Sequence, residues 1–201
     1  MAARNLSLER EIRIIKSFSR NAGNYDRHAY LQKSMAERLT ALLPEPLPES
    51  VLEIGCGTGI FTRRLLARSP RRLALNDIAR AMVDHLLKQI EVPENTAVII
   101  GNAETFQFPQ VDLITANAVF QWFEEPGGAL KHLSASLKPG GKLVFSAFGP
   151  QTLREFRRTA RIESPAAFLS LAEWERIIRE AGCRVLAARS EIRETFTPST
   201  I

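Results

Sequence analysis

The run Glu53-Ile-Gly55-Cys-Gly57-Thr-Gly59 sets three glycines at alternate positions directly after a short apolar stretch. Glycine admits positive φ and lets backbone N–H groups approach a ligand with no Cβ in the way, so such a loop can cradle a polar cofactor. Position 60 is Ile, so the spacing is GxGxG and the dinucleotide fingerprint GxGxxG is not met. A glycine turn that holds no ligand is the competing reading. Asp77 lies about twenty residues beyond the loop, where a carboxylate can accept hydrogen bonds from both hydroxyls of a ribose. It could instead cap the helix that follows. Asn102, in Gly101-Asn-Ala-Glu104, carries an acceptor and donors suited to an adenine edge, although Gly-Asn also makes a simple turn.

Asn117-Ala-Val-Phe-Gln121-Trp122 is the next polar and aromatic cluster, where a substrate would meet the cofactor; Trp122 could equally be core. Arg154, Arg157, Arg158 and Arg161 form a cationic run before Ser164-Pro165. It reads as a solvated helix face, or as a clamp for a carboxylate or phosphate. His28, His85 and His132 fall singly on helical stretches, and no Ser/His/Asp or Cys/His constellation is present. Cys56 sits between glycines, where a small side chain explains it better than a nucleophile. With Cys56 and Cys183 far apart and no CxxC or HxxxH pair, neither a metal site nor a structural disulfide is expected.

These residues must be held by elements, and the periodicity predicts them in a regular order. Leu6–Arg20 and Tyr25–Leu43 read as helices, the second with Leu31, Met35, Leu39 and Leu42 on one stripe. Pro44-Glu-Pro-Leu-Pro48 ends it. Strands are then predicted at Val51–Ile54, Arg72–Asn76, Ala97–Ile100, Val111–Ala116 and Lys142–Phe148, with a last one at Arg184–Ile192. Helices are predicted at Thr58–Arg68, Ala79–Ile90, Pro126–Leu137 and Leu171–Ala181, the last closed by Gly182; Lys138-Pro-Gly-Gly141 reads as a tight turn. Strands alternating with helices imply an α/β, Rossmann-like, doubly wound and mostly parallel sheet. In such sheets ligands bind at the carboxyl ends of the strands, which is where the loop, Asp77, Asn102 and Asn117 all fall.

The 201 residues suit one domain, and 45% hydrophobic with 24% charged content is that of an ordinary globular protein. Apolar runs are too short for a membrane helix, and Glu9 and Glu11 argue against a transit peptide, so a cytoplasmic protein is expected. The formal charge of +5 permits an acidic partner without demanding one.

With these residues in hand, the chain resembles the S-adenosylmethionine (SAM)-dependent methyltransferases of class I. More narrowly it is similar to the malonyl-acyl-carrier-protein O-methyltransferases of biotin synthesis. The narrow likeness rests on Phe18-Ser-Arg20-Asn-Ala-Gly-Asn-Tyr25-Asp with His28-Ala and Leu31-Gln32, on Asn117–Trp122, and on Phe148-Gly-Pro-Gln-Thr152-Leu-Arg154. It implies methyl transfer from SAM, leaving S-adenosylhomocysteine, to the free carboxylate of malonyl-acyl-carrier protein.

The resemblance implies that Tyr25 and Gln32 close over the methionine end of the cofactor. Glu53, Gly55, Gly57, Asp77, Ile78, Asn102, Ala103 and Asn117 would complete its site, and Arg20, Trp122 and Arg154 would serve the substrate. No metal, nucleic acid or membrane is implied, and a monomer is expected. Residues 1–48 are expected to form a helical lid over a SAM-binding unit at 49–201. The chain departs from the family where Asn102 replaces the usual Asp. It also ends at Ile201, so the antiparallel edge strand of the family's sheet is expected to be absent. Two other readings stay open: a methyltransferase for another small carboxylate or metabolite, and a SAM-binding protein without catalysis.

Overall fold

In the computed structural model, residues 2–152, 154 and 168–192 are described, with side chains from Ser7 onward. Five strands form the sheet: β1 (Ser50–Ile54), β2 (Arg72–Asp77), β3 (Thr96–Ile100), β4 (Val111–Asn117) and β5 (Leu137–Ser146). Their order is β3-β2-β1-β4-β5 and every pairing is parallel. The order reverses between β1 and β4, so the carboxyl ends of these strands open a crevice there.

Side chains alternate across each strand, and the apolar residues divide accordingly. Val51, Leu73, Leu75 and Leu113 pack on one face with Ala36 and Leu39 of α3 (Tyr30–Thr40), Leu65 of α4 (Thr62–Leu66), and Val83 and Leu86 of α5 (Arg80–Gln89). Leu52, Ile54, Ile114 and Ala116 point the other way. They meet Leu130 and Leu133 of α6 (Pro126–Ser134) and Trp174 and Ile177 of α7 (Leu171–Glu180). Burying both faces is what makes the central strands near-continuous apolar runs. A capping box starts α7, with Ser170 and Glu173 each bonding the other's backbone N–H.

Ahead of the sheet, residues 2–40 are helical apart from two short breaks. α1 (Ala2–Asn21) is followed by the single turn α2 (Tyr25–His28) and by α3. The stretch predicted as one helix, Tyr25–Leu43, is therefore broken at Ala29 and ends at Thr40. Past that end the 3.6-residue period no longer holds, so Leu43 is buried and Leu42 is exposed. The helix predicted from Thr58 begins only at Thr62, because Gly59 takes φ of +88° and turns the chain first.

Two further expectations are corrected. Lys138–Gly141 does not precede the last parallel strand but lies within it as a bulge. Val111 pairs with Leu137 and Leu113 with Lys142, so six residues of β5 oppose three of β4. The strand predicted at Arg184–Ile192 does not form: these residues pair with no described strand, and Leu186 and Ile192 are exposed. An apolar run becomes a strand only where a neighbouring edge accepts its backbone hydrogen bonds.

Candidate functional site

The loop between β1 and α4 is held from below and from the side. Cys56 N–H donates to Asn76 O at 2.9 Å, and Gly57 N–H donates to Asp77 Oδ2 at 2.8 Å. Asp77 Oδ1 accepts from Ala79 N–H at 2.8 Å, so one carboxylate ties the glycine loop to the start of α5. Both of its oxygens are thus engaged, yet a carboxylate offers about four lone-pair sites, and capacity to accept remains. Gly55 has φ of +66°, and a Cβ there would lie 2.4 Å from Val119 Cγ2, so only glycine fits this close approach of loop and cleft wall.

Around this loop opens a cleft. Tyr25, Gly55, Gly57, Asp77, Ile78, Asn102, Ala103, Asn117 and Trp122 all line it, so most of the residues singled out in the sequence meet in one place. Asn117 is fixed by two neighbours: Ser146 Oγ donates to its Oδ1 at 2.8 Å, and its Nδ2 donates to Gln32 O at 3.0 Å. The next residue, Ala118, takes φ of +58°, an uncommon conformation for a residue with a Cβ, and it forms part of the cleft wall. Gln121 is wholly buried behind that wall, and its Nε2 donates to Ala118 O at 2.7 Å.

Four residues lie off the lining. Gln32 is half-buried, its backbone carbonyl accepting from Asn117 and its side chain near enough to the Tyr25 phenol to bear on its titration. Glu53 is buried under the loop, accepting from Thr62 Oγ1 at 2.8 Å. Arg20 and Arg154 are exposed. Arg157, Arg158 and Arg161 of the cationic run lie outside the described residues.

Burial governs the ionisable groups here. It lifts the Glu53 carboxyl to about 8, with the Thr62 hydrogen bond opposing and the Asp77 charge adding, so Glu53 is neutral at pH 7. Burial raises Asp77 as well, and the N–H groups of Ala79, Gly57 and Ile78 counteract it. The Cys56 thiol is pushed well above its ordinary value, which leaves it inert as a nucleophile. Burial also raises the Tyr25 phenol.

The sequence reading expected a helical lid but named none of the α1 side chains that line the cleft. Ser7, Arg10, Glu11, Ile14 and Phe18 all line it, a stripe at helical spacing whose mixed polarity hid it from an apolar-periodicity search. Arg10 Nη2 donates to Trp122 O at 2.8 Å and to Phe123 O at 3.2 Å, and Ser7 Oγ donates to Glu124 Oε2 at 2.5 Å. Phe18 meets Trp122 edge to face with centroids 5.4 Å apart. Phe18 and Tyr25 also pack with Ala22, Ala79 and Met82, a small apolar cluster that holds the N-terminal helices onto α5.

A parallel sheet in this order, with a glycine loop, an acid, an amide and a polar turn at four neighbouring strand ends, defines a class I methyltransferase. Comparison with known proteins agrees: residues 25–188 match a methyltransferase-domain family. The chain is 34% identical over 194 residues to malonyl-[acyl-carrier protein] O-methyltransferase 2 of Ilyobacter polytropus, covering 92% of this chain and 74% of that one. It is 33% identical over 191 residues to the biotin biosynthesis bifunctional protein BioHC of Cellvibrio japonicus, covering 92% of this chain and 38% of that one. Among solved structures, phosphoethanolamine N-methyltransferase 1 of Haemonchus contortus, in complex with phosphoethanolamine and S-adenosylhomocysteine, superposes with a TM-score of 0.69. The identity is 18%, over 85% of this chain and 40% of that one. The chain belongs to the malonyl-[acyl-carrier protein] O-methyltransferase family.

Proposed function

We propose that this chain transfers a methyl group from SAM to the free carboxylate of a malonyl group carried on an acyl carrier protein, in biotin synthesis. The observation that carries the reading is the convergence of Gly55, Gly57, Asp77, Asn102, Ala103 and Asn117 on one cleft, in a chain of this family. SAM supplies a methyl group made electrophilic by its sulfonium. Asp77 accepts from the ribose hydroxyls, Ile78 and Ala103 flank the adenine, and the N–H groups of the glycine loop face the cofactor. Tyr25, with Gln32 near its phenol, closes over the methionine end beside Asn117. Glu53, neutral beneath the loop, supports it from below.

A malonyl carboxylate is ionised at neutral pH and is already a nucleophile, so no general base is required. The work left to the protein is to hold carboxylate and methyl in line and to keep water out. Phe18 and Trp122 form an apolar wall for that purpose. Arg20 and Arg154, both exposed, serve the substrate from outside the cleft: Arg154 beyond the end of β5, Arg20 at the end of α1. Residues 1–48 supply the cover, and the protein works as a cytoplasmic monomer without metal, nucleic acid or membrane. Among the described residues no helix is long and apolar enough to cross a membrane.

The test is methyl transfer from labelled SAM to malonyl-carrier protein, with free malonate for comparison. Transfer to the carrier-bound form is expected, and none to any malonyl thioester would overturn the substrate. By calorimetry, Asp77→Ala should weaken S-adenosylhomocysteine at least about tenfold, the loss of one charge-assisted hydrogen bond. Unchanged affinity would return Asp77 to tying the loop alone.

A further inference from the structure

Asn102 lines the cleft, and its amide is oriented by a hydrogen bond at each end. Its Oδ1 accepts from Glu104 N–H at 2.9 Å, and its Nδ2 donates to Glu11 Oε2 at 3.0 Å. These two contacts fix which end is which. A flipped amide would set its NH2 against the Glu104 N–H and its oxygen against a carboxylate, both repulsive. The group that Asn102 turns toward Glu11 is therefore a donor, and a donor cannot receive the exocyclic amine of an adenine.

Glu11 can. Its carboxylate lines the same cleft, 91 residues away in sequence, brought there by α1. Asn102 takes one of its roughly four lone-pair sites, and the carboxylate keeps capacity to accept more. α1 is independently pinned beside it, by Arg10 on the carbonyls of Trp122 and Phe123 and by Ser7 on Glu124. Two more carboxylates, Glu104 and Glu124, also line the cleft, Glu104 Oε1 accepting from Glu124 N–H and Glu124 Oε2 from Ser7; of the three, the carboxylate of Glu11 is the one hydrogen-bonded to Asn102, the residue that stands just beyond β3.

We infer that Glu11 is the residue that reads the adenine amine of the cofactor, and that Asn102 is the positioning residue that holds Glu11 toward it. The assignment rests on the SAM reading above. It gives α1 a binding role: the helix that covers the cleft carries the acceptor that distinguishes an adenine from a 6-oxopurine. It also explains how an amide can stand at position 102. An Asp there would face Glu11 as a like charge, while Asn pairs with it.

The experiment compares S-adenosylhomocysteine with S-inosylhomocysteine by calorimetry; the second has a carbonyl oxygen where adenine has its amine. The wild-type protein should favour the adenosyl compound by at least about tenfold, since the inosyl oxygen would face a carboxylate. Glu11→Ala should bring the two within about threefold, by weakening the adenosyl compound and relieving the repulsion on the inosyl one. In Glu11→Ala/Asn102→Asp the new carboxylate should take over as acceptor and restore the preference. A wild-type ratio in Glu11→Ala would overturn the assignment. So would a double variant that stays indiscriminate, since the preference would then follow the placement of α1 and not an acceptor. If the wild-type protein bound neither compound, the cofactor reading itself would fall, an outcome distinct from both.

Discussion

Glu53, in β1 beneath the glycine loop, is a buried carboxyl that does not line the cleft. Buried and hydrogen-bonded to Thr62, it has its pKa raised to about 8, above the ordinary carboxylate value of about 4.3 that it takes when unfolded. A group raised on folding contributes stability that is fully present below its unfolded pKa and is lost as pH rises through the folded one. The wild-type protein should therefore lose stability from this group between about pH 4 and pH 8, where only the unfolded chain ionises it. Glu53→Gln keeps an acceptor for Thr62 and removes the titration. Its Tm should match that of the wild type near pH 4 and exceed it by at least about 3 °C at pH 8.5. Parallel Tm curves would mean that Glu53 is not held neutral. The same variant separates support from contact, because S-adenosylhomocysteine affinity should hold within about threefold, whereas losing a charged partner would cost more. A large loss of affinity without a change in Tm would make Glu53 a direct ligand.

Between elements, one carboxylate joins three strands at the end of the sheet away from the cleft. Asp112 Oδ2 accepts from Ser50 N–H at 3.0 Å, from Ser50 Oγ at 2.5 Å and from Lys138 Nζ at 2.8 Å, linking the starts of β1, β4 and β5. The hydrogen bonds from Lys138 and Ser50 hold its carboxyl down at about 2, below its unfolded value. The sign is opposite to that of Glu53: this contribution is present above about pH 4 and is lost as pH falls through about 2. Asp112→Ala should lower Tm at pH 7 by roughly 5 °C, and the gap to wild type should close on acidification toward pH 2. A gap independent of pH would assign the loss to packing. Lys138 belongs to the bulge in β5, which the sequence suggested only as a turn, because Pro-Gly-Gly marks a break in regular backbone without saying whether pairing resumes. The central strands were legible for the converse reason: four or five apolar residues bounded by turn residues allow few alternatives. Gly55, Asp77 and Asn117 were legible because their chemistry resides in residue type and in their place after a strand. Glu11 was not, since nothing local to it signals that α1 folds back 91 residues to meet Asn102. Arg184–Ile192 was misread because apolar alternation records a propensity, while a strand also needs an edge to pair with.

At the scale of the whole molecule, the cleft and the outer surface call for different physics. The cleft is walled by α1, the glycine loop and the side formed by Trp122 and Phe123, so a cofactor would bind there through short contacts. The surface carries a net charge of +5, and on α1 the exposed residues Arg13, Lys16 and Arg20 follow one another at helical spacing beside the cleft's cover. A small acidic carrier protein would meet that surface across water, where charges farther apart than about 10 Å are screened at 0.1 M salt and at about 3 Å in 1 M. Raising salt from about 0.05 M to about 0.5 M should therefore raise the KM for malonyl-carrier protein roughly tenfold by slowing encounter. The Kd of S-adenosylhomocysteine should move less than about twofold over the same range, because short contacts within the cleft are poorly screened. A KM as flat as the Kd would show that the carrier is held by apolar or short-range contacts, and the basic surface would then have no part in choosing the substrate.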